Sequence, residues 1–121
     1  MRIFFVIVTF MLAGQALALD PATFRLRTGG NLVELCSLPP EDPLYSKAME
    51  FCNGYLVGAF HYYDATAPAS NRFVCAPKQR PDLTAVMKSY VAWANENPQS
   101  MNERSVDSLF RFLAGAYPCK N

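Results

Sequence analysis

The chain has 121 residues, with 11 basic and 10 acidic side chains and a formal net charge of +1. Its densest basic stretch, Pro77 to Pro81, contains only Lys78 and Arg80 as cations. Nucleic acids and anionic membrane surfaces require a concentrated cationic face, so the composition argues against both as partners.

The first 18 residues have the pattern of a secretory signal peptide. Arg2 is the only charged residue among them, an apolar run follows it, and the small residues Ala16 and Ala18 form a signal peptidase site. We therefore expect a signal peptide at 1–18 and a single exported domain at 19–121, located in the periplasm. No later apolar run reaches membrane-spanning length, so no membrane association is expected after cleavage.

All four cysteines, Cys36, Cys52, Cys75 and Cys119, lie in the exported part of the chain. An even number of cysteines in a short secreted domain indicates a disulfide framework, because an oxidising compartment keeps the pairs closed. No Cys-x-x-Cys pair is present, so neither a zinc site nor a redox-active dithiol is expected. The sequence predicts structural disulfides and no cofactor.

Two helices are predicted in the first half of the domain. The first begins at Asn31, which precedes Glu34 in a capping-box-like pattern, and carries Cys36 in its last turn. The second has Asp42 as its N-cap and Pro43 at its first position. Its apolar positions follow helical spacing: Leu44, Ala48, Phe51, Cys52, Tyr55, Ala59 and Tyr62.

The second predicted helix also contains Gly54 and Gly58, one turn apart. An interior glycine costs about 1 kcal/mol relative to alanine in a helix. We therefore expect another helix to approach closely at these two positions.

Two further helices are predicted after the irregular, proline-rich segment that follows the second. The third begins at Asp82, ends before Pro98, and has the clearest amphipathic pattern of the chain: Leu83, Val86, Met87, Tyr90, Val91 and Ala94. Ser100 and Glu103 form a capping box for the fourth helix. Its predicted buried face consists of Val106, Leu109, Phe110, Leu113 and Tyr117. No strand-like alternation competes, so the predicted fold is an all-α, four-helix domain stapled by two disulfides.

Four cysteines allow three pairings. The short connection between the third and fourth helices implies an antiparallel pair, which brings Cys75, just before the third helix, close to Cys119, just after the fourth. Cys36 and Cys52 would then join the first helix to the second. We predict the disulfides Cys36–Cys52 and Cys75–Cys119.

No set of residues has the pattern of a catalytic site. His61 is the only histidine, and only Asp64 lies one turn away as a partner, so it is interpreted as a packed or interface residue. Gly29 and Gly30 lack the preceding strand of a phosphate-binding loop. The sequence predicts no enzymatic activity.

A protein-binding surface is the remaining hypothesis. Trp93 falls at the rim of the third helix's apolar face, and Phe112 falls off the fourth helix's face beside Arg111, as interface anchors often do. The alternative is that a small domain simply leaves some apolar area exposed. The polar connection between the two helices adds further candidates, which gives the set Trp93, Asn97, Gln99, Ser100, Met101, Arg111 and Phe112.

The segments "GNLVELC", "CNGYLVGAFHYY", "FVCAP" and "FLAGAYPC", in this order from Gly30 to Cys119, resemble the Rap/Tai immunity proteins of bacterial type VI secretion systems. The resemblance implies an exported, all-helical, disulfide-linked and often dimeric protein. It also implies binding to a peptidoglycan amidase toxin with a Cys–His active site, whose cleft the immunity protein blocks. The four cysteines match the family pattern at their own positions.

Two other interpretations remain open. One is a periplasmic acid-stress chaperone of the HdeA type, which is also helical and disulfide-linked and would expose apolar surface at about pH 2–3. The other is an interaction protein or adaptor of an envelope complex. Dye binding at low pH tests the first, and a pull-down from periplasm tests the second.

Overall fold

Four α-helices and three short 3-10 helices make up the computed structural model, which describes residues 19–120. The α-helices are α1 (Gly29–Cys36), α2 (Tyr45–Thr66), α3 (Leu83–Glu96) and α4 (Ser105–Ala116). The 3-10 helices are Pro21–Arg25, Ala69–Asn71 and Pro98–Asn102. Two isolated bridges take the place of strands within these residues, which confirms the predicted all-α class. The signal peptide expected at 1–18 lies outside the described residues.

Helix α1 occupies the centre of the domain. Thr28 is its N-cap: its hydroxyl accepts a hydrogen bond from the Asn31 N–H at 3.3 Å, and the Asn31 side chain accepts one from the Thr28 N–H at 3.2 Å. The predicted cap at Asn31 is therefore three residues too late, because Asn31 closes the capping box that Thr28 opens. Leu32 and Leu35 are fully buried, and α1 packs against α2, α3 and α4.

Helix α2 begins at Tyr45, not at Pro43, because Asp42 stabilises a turn before the helix. The Asp42 side chain accepts a hydrogen bond from the Leu44 N–H at 2.8 Å, and its carbonyl oxygen accepts one from the Tyr45 N–H at 2.9 Å. The apolar face was predicted too long: Phe51 and Tyr62 are 43 % and 74 % exposed. The residues of α2 that are buried are Ala48, Met49, Cys52 and Leu56.

The glycines of α2 do not contact another helix. Gly54 and Gly58 are both exposed, and within the described part of the chain no atom lies within 4 Å of the position that a Cβ would take at either residue. The predicted close approach is wrong. With 22 residues α2 is the longest described helix; its buried residues end at Leu56, and beyond them Tyr63 still packs against Phe110 of α4.

Helix α3 follows the prediction. The Asp82 side chain caps it by accepting a hydrogen bond from the Ala85 N–H at 3.0 Å. Its buried residues are Val86, Met87, Tyr90 and Ala94, all members of the predicted face.

Helix α4 begins at Ser105, five residues after the predicted capping residue Ser100, which belongs to the preceding 3-10 helix. Its orientation also differs from the prediction. Val106 is 38 % exposed, whereas the buried residues are Ser105, Ser108, Leu109, Phe112 and Leu113. Two serines that the pattern assigned to solvent thus face the core.

The two disulfides are Cys36–Cys52 and Cys75–Cys119, as predicted. The first joins α1 to α2 and is buried. The second is half-buried and joins the segment before α3 to the end of the chain after α4, where the Cys75 N–H also donates to the Tyr117 carbonyl oxygen at 2.9 Å. No helix within residues 19–120 has the length and apolar character needed to cross a membrane.

Candidate interaction surface

The 3-10 helix Pro98–Asn102, called here the connecting helix, is held at its start by Asn97. The Asn97 N–H donates to the Ala94 carbonyl oxygen at 3.1 Å, and its side-chain amide donates to the Trp93 carbonyl oxygen at 2.8 Å. Its own carbonyl oxygen accepts a hydrogen bond from the Ser100 N–H at 2.9 Å. These bonds end α3 and fix the direction in which the connecting helix leaves it.

The connecting helix lies directly on the first turn of α1. A Cβ at Gly29 would lie 2.8 Å from the Ser108 Oγ and closer still to the Ser100 carbonyl oxygen. A Cβ at Gly30 would lie 3.3 Å from the Met101 carbonyl oxygen. Only glycine at Gly29 allows this approach of two backbones. Gly29 and Gly30, which lack the pattern of a phosphate-binding loop, therefore form the contact surface for the connecting helix, called here its seat.

Two tyrosine–serine pairs explain why α4 buries serines. The Tyr90 hydroxyl and the Ser108 Oγ are 2.8 Å apart in the core, and the Tyr55 hydroxyl and the Ser105 Oγ are 2.7 Å apart. The Ser105 hydroxyl donates to the Leu26 carbonyl oxygen, so Tyr55 donates to Ser105. Burial raises the pKa of Tyr90. Because each of these tyrosine and serine hydroxyl groups has a hydrogen-bond partner, their burial is not destabilising.

An aromatic cluster joins the second half of α3 to α4. Phe112 lies with its ring centroid 5.8 Å from that of Tyr90 and 5.9 Å from that of Trp93. It is only 8 % exposed, so the expectation that Phe112 is an exposed anchor is wrong. The burial of Ser108 on the same face of α4 turns Phe112 inward. Trp93 remains half-buried at the edge of the cluster.

The residues predicted to contact a partner fall into three groups. The structure exposes Gln99 and Arg111, leaves Trp93, Asn97 and Met101 half-buried, and buries Ser100 and Phe112. Ser100 is fully buried because it packs against the α1 seat, so it presents no side chain to a cleft. Within the described residues its hydroxyl has no hydrogen-bond partner. The Arg111 guanidinium forms an ion pair with Glu103 at 2.8 Å.

An exposed aromatic does lie beside Arg111, but the sequence interpretation missed it. Phe73 is 51 % exposed, and its ring lies 6.3 Å from that of Phe110 and 5.3 Å from that of Tyr63. Phe73, Phe110 and Arg111 border a shallow depression on α4. The sequence feature that could have revealed it is the position of Phe73 two residues before Cys75, because the disulfide brings this segment next to α4.

Within the described residues His61 is not paired with Asp64, the partner that the sequence offered. Its side chain is exposed on α2, and the carboxylate of Asp64 is instead paired with Arg72 at 2.7 Å. Among residues 19–120, no group of three or more His, Cys, Asp or Glu side chains is placed to hold a metal ion.

A comparison with protein-family models gives one match. The model of the Rap1a immunity proteins matches residues 28–119, which include all four α-helices and both disulfides. The searches of curated proteins and of solved structures found no match. The matched region begins at the N-cap of α1 and ends at the last cysteine; the 3-10 helix Pro21–Arg25 and the buried Leu26 precede it. The chain belongs to the Rap1a immunity protein family.

Proposed function

We propose that the protein is a periplasmic immunity protein that binds a peptidoglycan amidase effector of a type VI secretion system and occludes its active-site cleft. Family membership supports an immunity protein with a partner effector. The amidase class of the effector, the occlusion of its cleft and the periplasmic location are parts of the proposal. The observation that carries it is the connecting helix, a short exposed element held rigidly on α1.

The connecting helix has the properties of an occluding element. Gln99 is exposed and Met101 half-buried, while Ser100 between them is fixed in the interior. The helix is therefore ordered before it meets a partner. Preorganisation lowers the entropy cost of binding, because few rotamers and no loop need to be ordered.

The depression on α4 offers a neighbouring contact area. Phe73 and Phe110 provide apolar rings, and Arg111 provides a charged rim, which is the usual composition of an interface anchor. A stable interface buries about 1,600 Å² in total, more than five residues of a connecting helix supply. We therefore place the effector across both the connecting helix and this depression.

The disulfides support the location. Two disulfide pairs fit an oxidising compartment such as the periplasm, where such bonds persist. A peptidoglycan amidase acts on the cell wall from the same compartment.

The test uses the product of the neighbouring gene, which we expect to be an amidase, purified with the oxidised protein. We expect the two to co-elute in size-exclusion chromatography and the protein to inhibit release of peptide from purified peptidoglycan. Gln99→Arg should weaken the affinity about tenfold, because it places a charge at the centre of the contact. Gln79→Arg makes the same change on an exposed loop away from this surface and should leave the affinity unchanged.

Two results would contradict the proposal. Binding without inhibition would show that the cleft stays open. Equal losses of affinity with Gln99→Arg and Gln79→Arg would show that the connecting helix is not part of the interface.

A further inference from the structure

An apolar groove of about 560 Å³ lies between α2, α3, α4 and the segment that precedes α3. Buried residues from the three helices form its floor: Leu56, Val86 and Leu113. Its mouth is bordered by His61, Arg80 and Pro77, among other residues. The volume falls within the range of about 300–1,000 Å³ that is usual for binding sites.

The groove is separate from the surface proposed to bind the effector. It includes Leu83 at the start of α3 and Tyr117 just after the end of α4, whereas the connecting helix joins the opposite ends of these two helices. Helix α3 has 14 residues and is therefore roughly 20 Å long. The depression on α4 shares no lining residue with the groove, so a partner on the connecting helix and the depression would leave the lining of the groove accessible.

The lining of the groove contains one charged side chain. This is the guanidinium of Arg80, which is exposed at the mouth, and the lining contains no acidic residue; Asp82, outside the lining, is the N-cap of α3. Within the described residues Arg72, Arg104 and Arg111 each form an ion pair with a carboxylate, whereas Arg80, like Arg25 and Arg27, forms none. A ligand that brings its own carboxylate would supply the missing charge.

We propose that the groove binds a segment of a protein partner that places an apolar side chain on its floor and a carboxylate next to Arg80. The apolar floor provides the affinity, and the guanidinium selects the acidic group. The groove is open to solvent, since Pro77 is exposed and Leu83 is 36 % exposed at its wall. This shape suits a side chain from a segment lying across the surface better than an acyl chain, which requires an enclosed tunnel to be fully desolvated.

The test uses a small probe with the chemistry of the proposed segment. The dipeptide N-acetyl-leucyl-phenylalanine, with a free carboxylate, and its C-terminal amide are titrated separately into the oxidised, isotope-labelled protein. We expect saturable NMR shifts at Val57, Arg80 and Leu83 with the carboxylate. The amide should bind about fivefold more weakly, which is the factor from one charge contact of about 1 kcal/mol at a solvated site.

Matched variants separate the two parts of the interaction. Arg80→Gln should remove the preference for the carboxylate but retain weak binding of both probes. Lys78→Gln, two residues away and outside the lining, should change neither. Val57→Glu, at a half-buried position of the lining, should abolish both, with circular dichroism verifying that the helices remain folded.

Other outcomes would overturn the proposal. Equal binding of the two probes, or shifts outside the groove, would exclude a carboxylate site at Arg80. Saturation by decanoate but by neither dipeptide would identify a site for an acyl carboxylate in place of a protein segment. None of these measurements involves the effector, so their failure leaves the proposed immunity function unaffected.

Discussion

Replacing Gly29 by alanine tests whether the first turn of α1 sets the position of the connecting helix. The added methyl group would lie 2.8 Å from the Ser108 Oγ and closer to the Ser100 carbonyl oxygen. A backbone carbonyl cannot rotate away as a side chain can, so α1 and the connecting helix must separate. Overpacking of this kind costs about 1–3 kcal/mol, and we expect a loss of about 2 kcal/mol in the free energy of unfolding.

Gly58→Ala is the matched control. The same methyl group there meets no described atom within 4 Å, in the interior of an exposed helix. Removal of the glycine's backbone entropy should stabilise the protein by about 0.5–1 kcal/mol. The two variants thus change the same atoms and should shift stability in opposite directions.

Thermal and urea unfolding, followed by far-ultraviolet circular dichroism, measure both effects. A loss of about 2 kcal/mol lowers the Tm by about 10 °C in a domain of this size. Trp93, the only tryptophan, gives a local signal because its carbonyl oxygen accepts the bond from Asn97 next to the connecting helix. If Gly29→Ala unfolds within about 0.5 kcal/mol of the original protein and leaves Trp93 fluorescence unchanged, the proposed seat is wrong.

Three further predictions concern the core and the disulfides. Phe112→Ala should lower the free energy of unfolding by about 3–5 kcal/mol and the exposed Val106→Ala by under about 1 kcal/mol in urea titrations, the reverse of the order expected from the sequence. Burial raises the pKa of Tyr90 above the unfolded value of 10.0, so the free energy of unfolding should be constant as this group stays protonated below pH 10 and should fall above it. Tyr90→Phe should reduce the fall of the urea midpoint with rising pH. The half-buried Cys75–Cys119 disulfide should be reduced before the buried one, which alkylation followed by mass spectrometry measures. Its reduction should lower the free energy of unfolding by about 4 kcal/mol.

The parts of the fold that were predictable from the sequence depend on local chemistry. Asp82 and the apolar spacing after it define α3 correctly, because a cap and a helical period are properties of neighbouring residues. The pairing of Cys75 with Cys119 followed from the order of the helices alone. The orientation of α4 could not be predicted in this way. Ser105 is buried because its hydroxyl forms a hydrogen bond with a tyrosine of α2 that is fifty residues away in the sequence.

The candidate surface was predicted less completely than the fold, for the same reason. The connection between α3 and α4 was identified from its polar composition and its two flanking helices. Whether Ser100 or Gln99 points outward depends on the contact with Gly29, which no helical period reveals. Phe73 was missed because it lies in an irregular segment, where exposure is set by the disulfide that follows it.

The covalent link between Cys75 and Cys119 encloses α3, the connecting helix and α4 within one ring of the chain. A protease that nicks the exposed connecting helix would therefore release no fragment. The clipped protein would migrate as one species in non-reducing electrophoresis and separate into two only after reduction. An intact band from such a gel is thus no evidence that the surface offered to the effector has survived.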